Sequence, residues 1–121
     1  MERDLKLIRA ILIAIENERF DGGPVNIDLG EEWDADVIQY HIHLLNDALF
    51  IETMDYTTFA GPDLRPTRMT WEGTEFLEAA RDDDRWTSVL GKIGRAGRGV
   101  TLDIIQEMLK AQMRGDAGLG D

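Results

Sequence analysis

His41 and His43 are the only histidines of the chain, and no cysteine stands beside them to complete an imidazole–thiolate metal set. A spacing of two on a helix sends them to different sides, so they do not share an ion. His41 falls near an apolar arc and reads as a core histidine holding a hydrogen bond. His43 falls on the polar arc, where it is either a contact residue or an ordinary surface one. Asp82-Asp83-Asp84 offers carboxylates for a magnesium ion or a general base, but no phosphate-binding loop or second acidic motif accompanies it. Capping of the following helix explains it. The run GRAGRG at 94–99 imitates a glycine-rich phosphate loop, yet that fingerprint needs a strand before it, and here a helical pattern precedes it. No nucleophile–base pair, metal set or cofactor motif assembles from these residues. The expectation is a protein that is not an enzyme and carries no cofactor.

The elements that would position a binding face are clearer. In Asp34–Ile51, DADVIQYHIHLLNDALFI, the residues Ile38, Ile42, Leu45 and Leu49 recur at spacings of four, three and four, and Val37, Leu44 and Ala48 widen that arc. The stretch is a helix with Asp34 as its N-cap and the apolar arc inward. The opposite arc presents Asp36, Gln39, Tyr40, His43, Asn46 and Asp47. Just ahead, Trp33 stands among acidic residues and either staples the helix to the core or anchors a partner.

Around this helix the chain reads in order. Glu2–Glu18 is a first helix with a stripe of Leu5, Ile8, Leu12 and Ile15, broadened by Leu7 and Ile11, while Ile13 falls off it. After the turn Gly22-Gly23-Pro24, VNIDL alternates in the manner of a short strand. Ile51–Tyr56 and Thr67–Trp71 are two strands enclosing the loop TTFAGPDLRP, whose tip holds Phe59, Leu64 and Arg65, with Arg68 close behind. A helix then turns Phe76, Leu77 and Ala80 inward, and a second carries Trp86, Val89, Leu90 and Ile93 until the glycines at 94, 97 and 99 stop it. The last helix, Thr101–Met113, buries Leu102, Ile105, Met108 and Leu109; Trp71, Trp86 and Phe76 read as core. The fold class expected is α+β, mainly helical: a winged helix-turn-helix with a two-stranded wing and additional C-terminal helices. One domain covers 1–113, and 114–121 is a flexible tail.

At 121 residues and 43% hydrophobic, the chain is long enough to bury one core unaided. The lack of cysteine rules out disulfides and thiolate chemistry and suits a reducing cytoplasm. No apolar run nears ~20 residues and MERDLKLIRA is charged from its second position, so neither a membrane span nor a signal peptide is expected. A net charge of -11 repels polyphosphate and favours basic partners. Its distribution sharpens the point. No Lys or Arg occurs between Arg19 and Arg65, whereas Asp21, Asp28, Glu31, Glu32, Asp34, Asp36, Asp47, Glu52, Asp55 and Asp63 all do. Positive charge gathers later, at Arg81, Arg85, Lys92, Arg95 and Arg98, either as a patch for phosphates or an acidic partner or as a solvated face.

Four blocks, ERDLKLIRAIL, VIQYHIHLLNDALFIE, RMTWEGTEFLEAARDDDRW and VTLDIIQEML, together resemble an uncharacterised family of bacterial, phage and prophage proteins known as a domain of unknown function. The resemblance spans residues 2 to about 110 and implies a winged-helix fold and a mobile-element setting, with no activity and no catalytic residues to carry over. One departure concerns the end of the recognition helix, where winged helices commonly place glycine in an Ala-Gly-Leu-Ile type sequence. Here Ala48-Leu49-Phe50-Ile51 puts Leu49 in that place, so either Leu49 bears strain or the helix ends differently.

Two functions follow from the face. Duplex DNA binding needs cations toward phosphates and side chains that read bases; Gln39, His43 and Asn46 suit the second demand, but Trp33-Asp34-Ala35-Asp36 sets carboxylates at the approach and only Arg65 and Arg68 lie near. The charge distribution instead favours a protein partner with a basic surface, by analogy a host nucleic-acid-binding or defence protein, with a DNA-binding regulator as the alternative. Monomer and homodimer both stay open.

Overall fold

The computed structural model describes residues 1–116. Its central element is α1, Leu5–Asn17, in which Leu5, Leu7, Ile8, Ile11, Leu12 and Ile15 are all buried. Each such side chain contributes about 2 kcal/mol of transfer free energy. Apolar on most of its circumference, α1 is the post against which the second helix, the third helix and the second strand pack. Ile13, off the main stripe, is half-buried against the same core.

Helix α2 spans Ala35–Asp47. Asp34 occupies the N-cap position but its side chain makes no capping bond, and Asp36 instead accepts from the Val37 amide at 3.0 Å. At the other end the Phe50 N–H donates to Leu45 O and the Leu49 N–H to Asn46 O, both at 3.0 Å. This paired closure requires a left-handed residue after the cap. Leu49 supplies it with φ 63°, the one non-glycine at positive φ among the described residues. For an L-residue that conformation costs about 1–2 kcal/mol. Of the two alternatives the sequence leaves at Leu49, strain is the one found. The turn also swings Leu49 off the inward arc on which its spacing places it, leaving it 69% exposed.

The chain then forms an antiparallel hairpin of β1, Ile51–Asp55, and β2, Leu64–Met69. Here β2 begins three residues ahead of the expected Thr67. Leu64, read as part of the loop tip, is its first residue and is buried. The register passes from Glu52 opposite Arg68 to Thr53 opposite Pro66, so Thr67 is bulged out and its hydroxyl donates to Glu52 O. A bulge is where a strand tolerates proline. The expected VNIDL strand does not form: Val25 N–H donates to Pro66 O at 2.9 Å, and no ladder continues from that bond.

Thr70 caps α3, Trp71–Ala80, its hydroxyl accepting from the Gly73 amide. The turn of Gly73 lies so close to the residue that leads from α2 into β1 that a Cβ there would stand 2.1 Å from Phe50 O. Gly73, Phe76, Leu77 and Ala80 form the buried stripe of α3, and Trp71 lies off it, 73% exposed, contrary to its reading as core. Phe76 and Trp86 are core as expected, and the Phe76 ring sits 5.2 Å from Phe50 and 6.4 Å from Trp86. Helix α4, Asp83–Ile93, is capped by Asp82, which accepts from the Arg85 amide, and stops at Gly94 with φ 81°. Helix α5, Leu102–Asp116, packs on α3 and α4, burying Ile105 and Leu109 fully and Leu102 and Met108 in part. It runs three residues past the expected end at Met113. Of the tail expected over 114–121, residues 117–121 lie outside the described residues.

Arginines from α1 and its approach tie these elements together. Arg3 donates to Ala96 O, Gly97 O and Val100 O, holding the loop between α4 and α5. Arg9 donates to Ala80 O and Arg81 O, the orphan carbonyls at the end of α3, pairs with Asp83, and lies 5.6 Å from the Trp86 ring. At the far end of α1, Glu16 takes both guanidinium branches of Arg81, which holds its carboxyl below its ordinary value of 4.5. A lowered folded-state value contributes stability above the unfolded pKa and loses it as the pH falls through the folded value. Glu16→Gln is therefore expected to lower the urea midpoint at pH 7, with the gap to the wild type closing progressively below pH 4.5. A gap that stays constant with pH would show that Glu16 acts by packing and not by charge.

Candidate functional site

The outward arc of α2 divides into residues already committed to the fold and residues left free. Gln39 is committed. Its Oε1 accepts from the Leu64 N–H and its Nε2 donates to Leu64 O, so its amide extends the hairpin by one pair of bonds and is not available to read a base edge. Asn46 is partly engaged, accepting from the Thr53 hydroxyl at 3.1 Å. Trp33 makes the contacts of a staple: the indole N–H donates to Asp4, Lys6 lies 5.9 Å from the ring, and the side chain packs half-buried against the core.

His41 is fully buried and makes two hydrogen bonds, one more than expected. The Asp4 backbone N–H donates to Nε2 at 2.8 Å, which fixes that nitrogen as the acceptor and leaves Nδ1 as the protonated one, donating to Val37 O at 2.8 Å. The imidazole thus joins the start of α1 to α2. Asp4 itself is raised by burial, but bonds from Arg95, Trp33 and the Leu7 amide more than offset this and hold its carboxyl below 3.8.

What remains is acidic and aromatic. Asp34, Asp36 and Asp47 are exposed, and among the described residues no Lys or Arg pairs with any of them. Asp36, Tyr40 and His43 line a groove of about 650 Å³ between α2 and the hairpin loop, closed on the other side by Ala60, Pro62 and Asp63. His43 Nε2 is covered there and has no hydrogen-bond partner. Phe59 stands fully exposed on the hairpin loop.

The nearby cations are compensated. Arg65 is held by both oxygens of Asp63 and stacks 4.2 Å over Tyr56; Arg68 is held by both oxygens of Glu52 and also donates to Met69 O. Arg95 pairs with Asp4 and Lys6 with Glu32. The five residues read as a basic patch do not form one surface. Arg81 sits with Glu16 and Glu78 at the C-terminal end of α1, whereas Arg95 and Arg98 sit with Asp4 and Glu2 at its N-terminal end. Arg85 and Lys92 belong to α4, half-buried and exposed respectively. Spacing in the sequence brought them together; helix geometry separates them.

Arg3, Arg9 and the Gln39 lock carry no sequence signal, because each bonds backbone groups far away in the chain. Among the described residues no three His, Asp or Glu side chains converge on a metal-sized site, and no helix is long and apolar enough to cross a membrane.

Over the described residues the architecture is mainly helical α+β, five helices and a two-stranded antiparallel hairpin, with an acidic helix face beside the hairpin loop. The chain belongs to the family described as "Hypothetical protein (DUF2513)", which matches residues 2–99. It is similar to an "Uncharacterized protein" of Haemophilus influenzae (strain ATCC 51907 / DSM 11121 / KW20 / Rd), 32% identical over 108 residues that cover 89% of this chain and 92% of that relative. No solved structure matches.

Proposed function

We propose that the chain is a non-enzymatic winged-helix binding module of phage or prophage type, whose α2 is the recognition helix and whose hairpin is the wing. Its acidic face engages a basic surface on a protein partner. The observation that supports this is the uncompensated charge of Asp34, Asp36 and Asp47 beside the groove of Tyr40 and His43. Carboxylates facing outward attract a cationic surface and raise its encounter rate. Tyr40 and Phe59 supply the aromatic anchors that such interfaces use. A protein that binds nucleic acid presents a cationic groove of the matching sign.

Duplex DNA fits the same face poorly. Both wing arginines are already neutralised, and Gln39, the best base reader by residue type, is bound to Leu64. Phosphates would meet Asp34 and Asp36 with no counter-charge from the module.

A photocrosslinker in place of Tyr40, used in the native host, tests the reading. The expected product is a crosslink to a protein of strongly basic surface, with its yield reduced about 10-fold or more by the double change Asp34→Lys and Asp36→Lys, the equivalent of about 1.4 kcal/mol. An unchanged yield in the charge-reversed variant would sink the proposal.

A further inference from the structure

Beyond the C-terminal end of α2 lies a second surface, which shares no lining residue with the groove of Asp36, Tyr40 and His43. Leu49 and Trp71 are 69% and 73% exposed, and the Thr70 hydroxyl donates to Leu49 O at 2.6 Å while the Thr70 amide donates to Phe50 O at 3.0 Å. Those bonds hold the turn after α2 and the start of α3 side by side. Both side chains line one groove of about 500 Å³, whose far wall is α5. Asp34 and Leu49 are separated by the whole length of α2, about 20 Å at the helical rise.

The charge of the groove is one-sided. Glu72 and Glu75 of α3 and Asp103 of α5 line it, and no cation among the described residues pairs with any of them. The single cation on its wall, Lys110, is 4.0 Å from Glu107. An apolar floor with a carboxylate rim complements a segment that carries apolar side chains flanked by lysine or arginine.

Leu49 adds a second line of argument. Glycine would close the helix at this position without backbone strain, and the leucine side chain recovers little by burial because it is mostly exposed. Non-glycine residues held at positive φ cluster where function requires the side chain.

We infer that the Leu49–Trp71 groove is a docking site for a basic, apolar-anchored segment of a partner protein. The strained turn presents the leucine, Trp71 lines the groove beside it, and Glu72, Glu75 and Asp103 select for positive flanks.

The probe is a hexapeptide with a Leu-Phe pair flanked on each side by two lysines, titrated into the full-length 15N-labelled chain, beside a counterpart with glutamates as flanks. The lysine peptide is expected to shift the Leu49 amide and the Trp71 indole signals at ~1 mM or below, and the glutamate peptide to leave them in place. Leu49→Gly is expected to weaken the lysine peptide about 10-fold while raising Tm by about 3 °C. That pairing separates a docking role from a structural one, which would lower Tm. Trp71→Ala is expected to weaken binding similarly, and Asp34→Lys with Asp36→Lys to leave it unchanged. Absence of shifts at Leu49 and Trp71 would overturn the assignment, as would equal response to both peptides. Concentration-dependent shifts of the same signals without peptide would assign the groove to a second copy of this chain and overturn the partner-segment reading.

Discussion

Gly73→Ala is expected to destabilise the protein by about 3 kcal/mol or more, although the same change at an exposed helical position would stabilise it by about 1 kcal/mol. The sign is reversed by one contact. The added methyl would stand 2.1 Å from the carbonyl oxygen of Phe50, a backbone atom that cannot rotate aside. That carbonyl also accepts from the Thr70 amide, so moving it breaks the junction between β1 and α3. Phe50 and Phe76 pack ring to ring behind the junction and would separate with it. Thermal unfolding should show a fall in Tm of more than about 10 °C. A rise in Tm would mean that α3 does not approach the Phe50 backbone as described.

His41→Ala is expected to cost about 4 kcal/mol, as the sum of a cavity in the core and the loss of two buried hydrogen bonds. The residue is fully buried, and the Asp4 amide has the imidazole as its partner. His41→Leu separates the two contributions. It fills most of the space but offers no acceptor, so about 2 kcal/mol should remain, from the unsatisfied amide at the start of α1. Urea unfolding of the two variants checks this. Equal stability of His41→Leu and wild type would show that the Asp4–His41–Val37 bridge contributes nothing.

These two positions also mark how far the sequence could be read. The helices and the hairpin were legible because each buries one face, and a stripe such as Leu5, Ile8, Leu12 and Ile15 announces both the element and its inward side. His41 was legible as core for the same reason, but its partner Asp4 is 37 residues away and periodicity does not reach that far. The close approach at Gly73 was invisible, since a helical glycine looks the same whether or not a backbone lies against it. Pro66 concealed the start of β2: proline reads as loop, and only the bulge at Thr67 admits it to the strand. At Leu49 the spacing gave the wrong side because the left-handed turn ended the helical period one residue earlier.

On the α2 face, the charge was legible and the committed side chains were not. The run without Lys or Arg from 20 to 64 foretold an acidic surface, and Asp34, Asp36 and Asp47 remain unpaired among the described residues. Residue type alone suggested Gln39 as a reader and Arg65 and Arg68 as phosphate contacts. Leu64, Asp63 and Glu52 engage them instead, through bonds that local sequence pattern does not encode.

The proposed role of this face rests on its rejecting polyphosphate, which fluorescence anisotropy of a labelled mixed-sequence duplex measures directly between about 50 and 200 mM salt. The wild-type chain is expected to show no binding even at the lowest salt, and the Asp34→Lys, Asp36→Lys variant to gain weak, salt-sensitive binding. Wild-type binding that falls steeply with salt would contradict the proposal, because it would mean that cations reach the phosphates despite the carboxylates of α2.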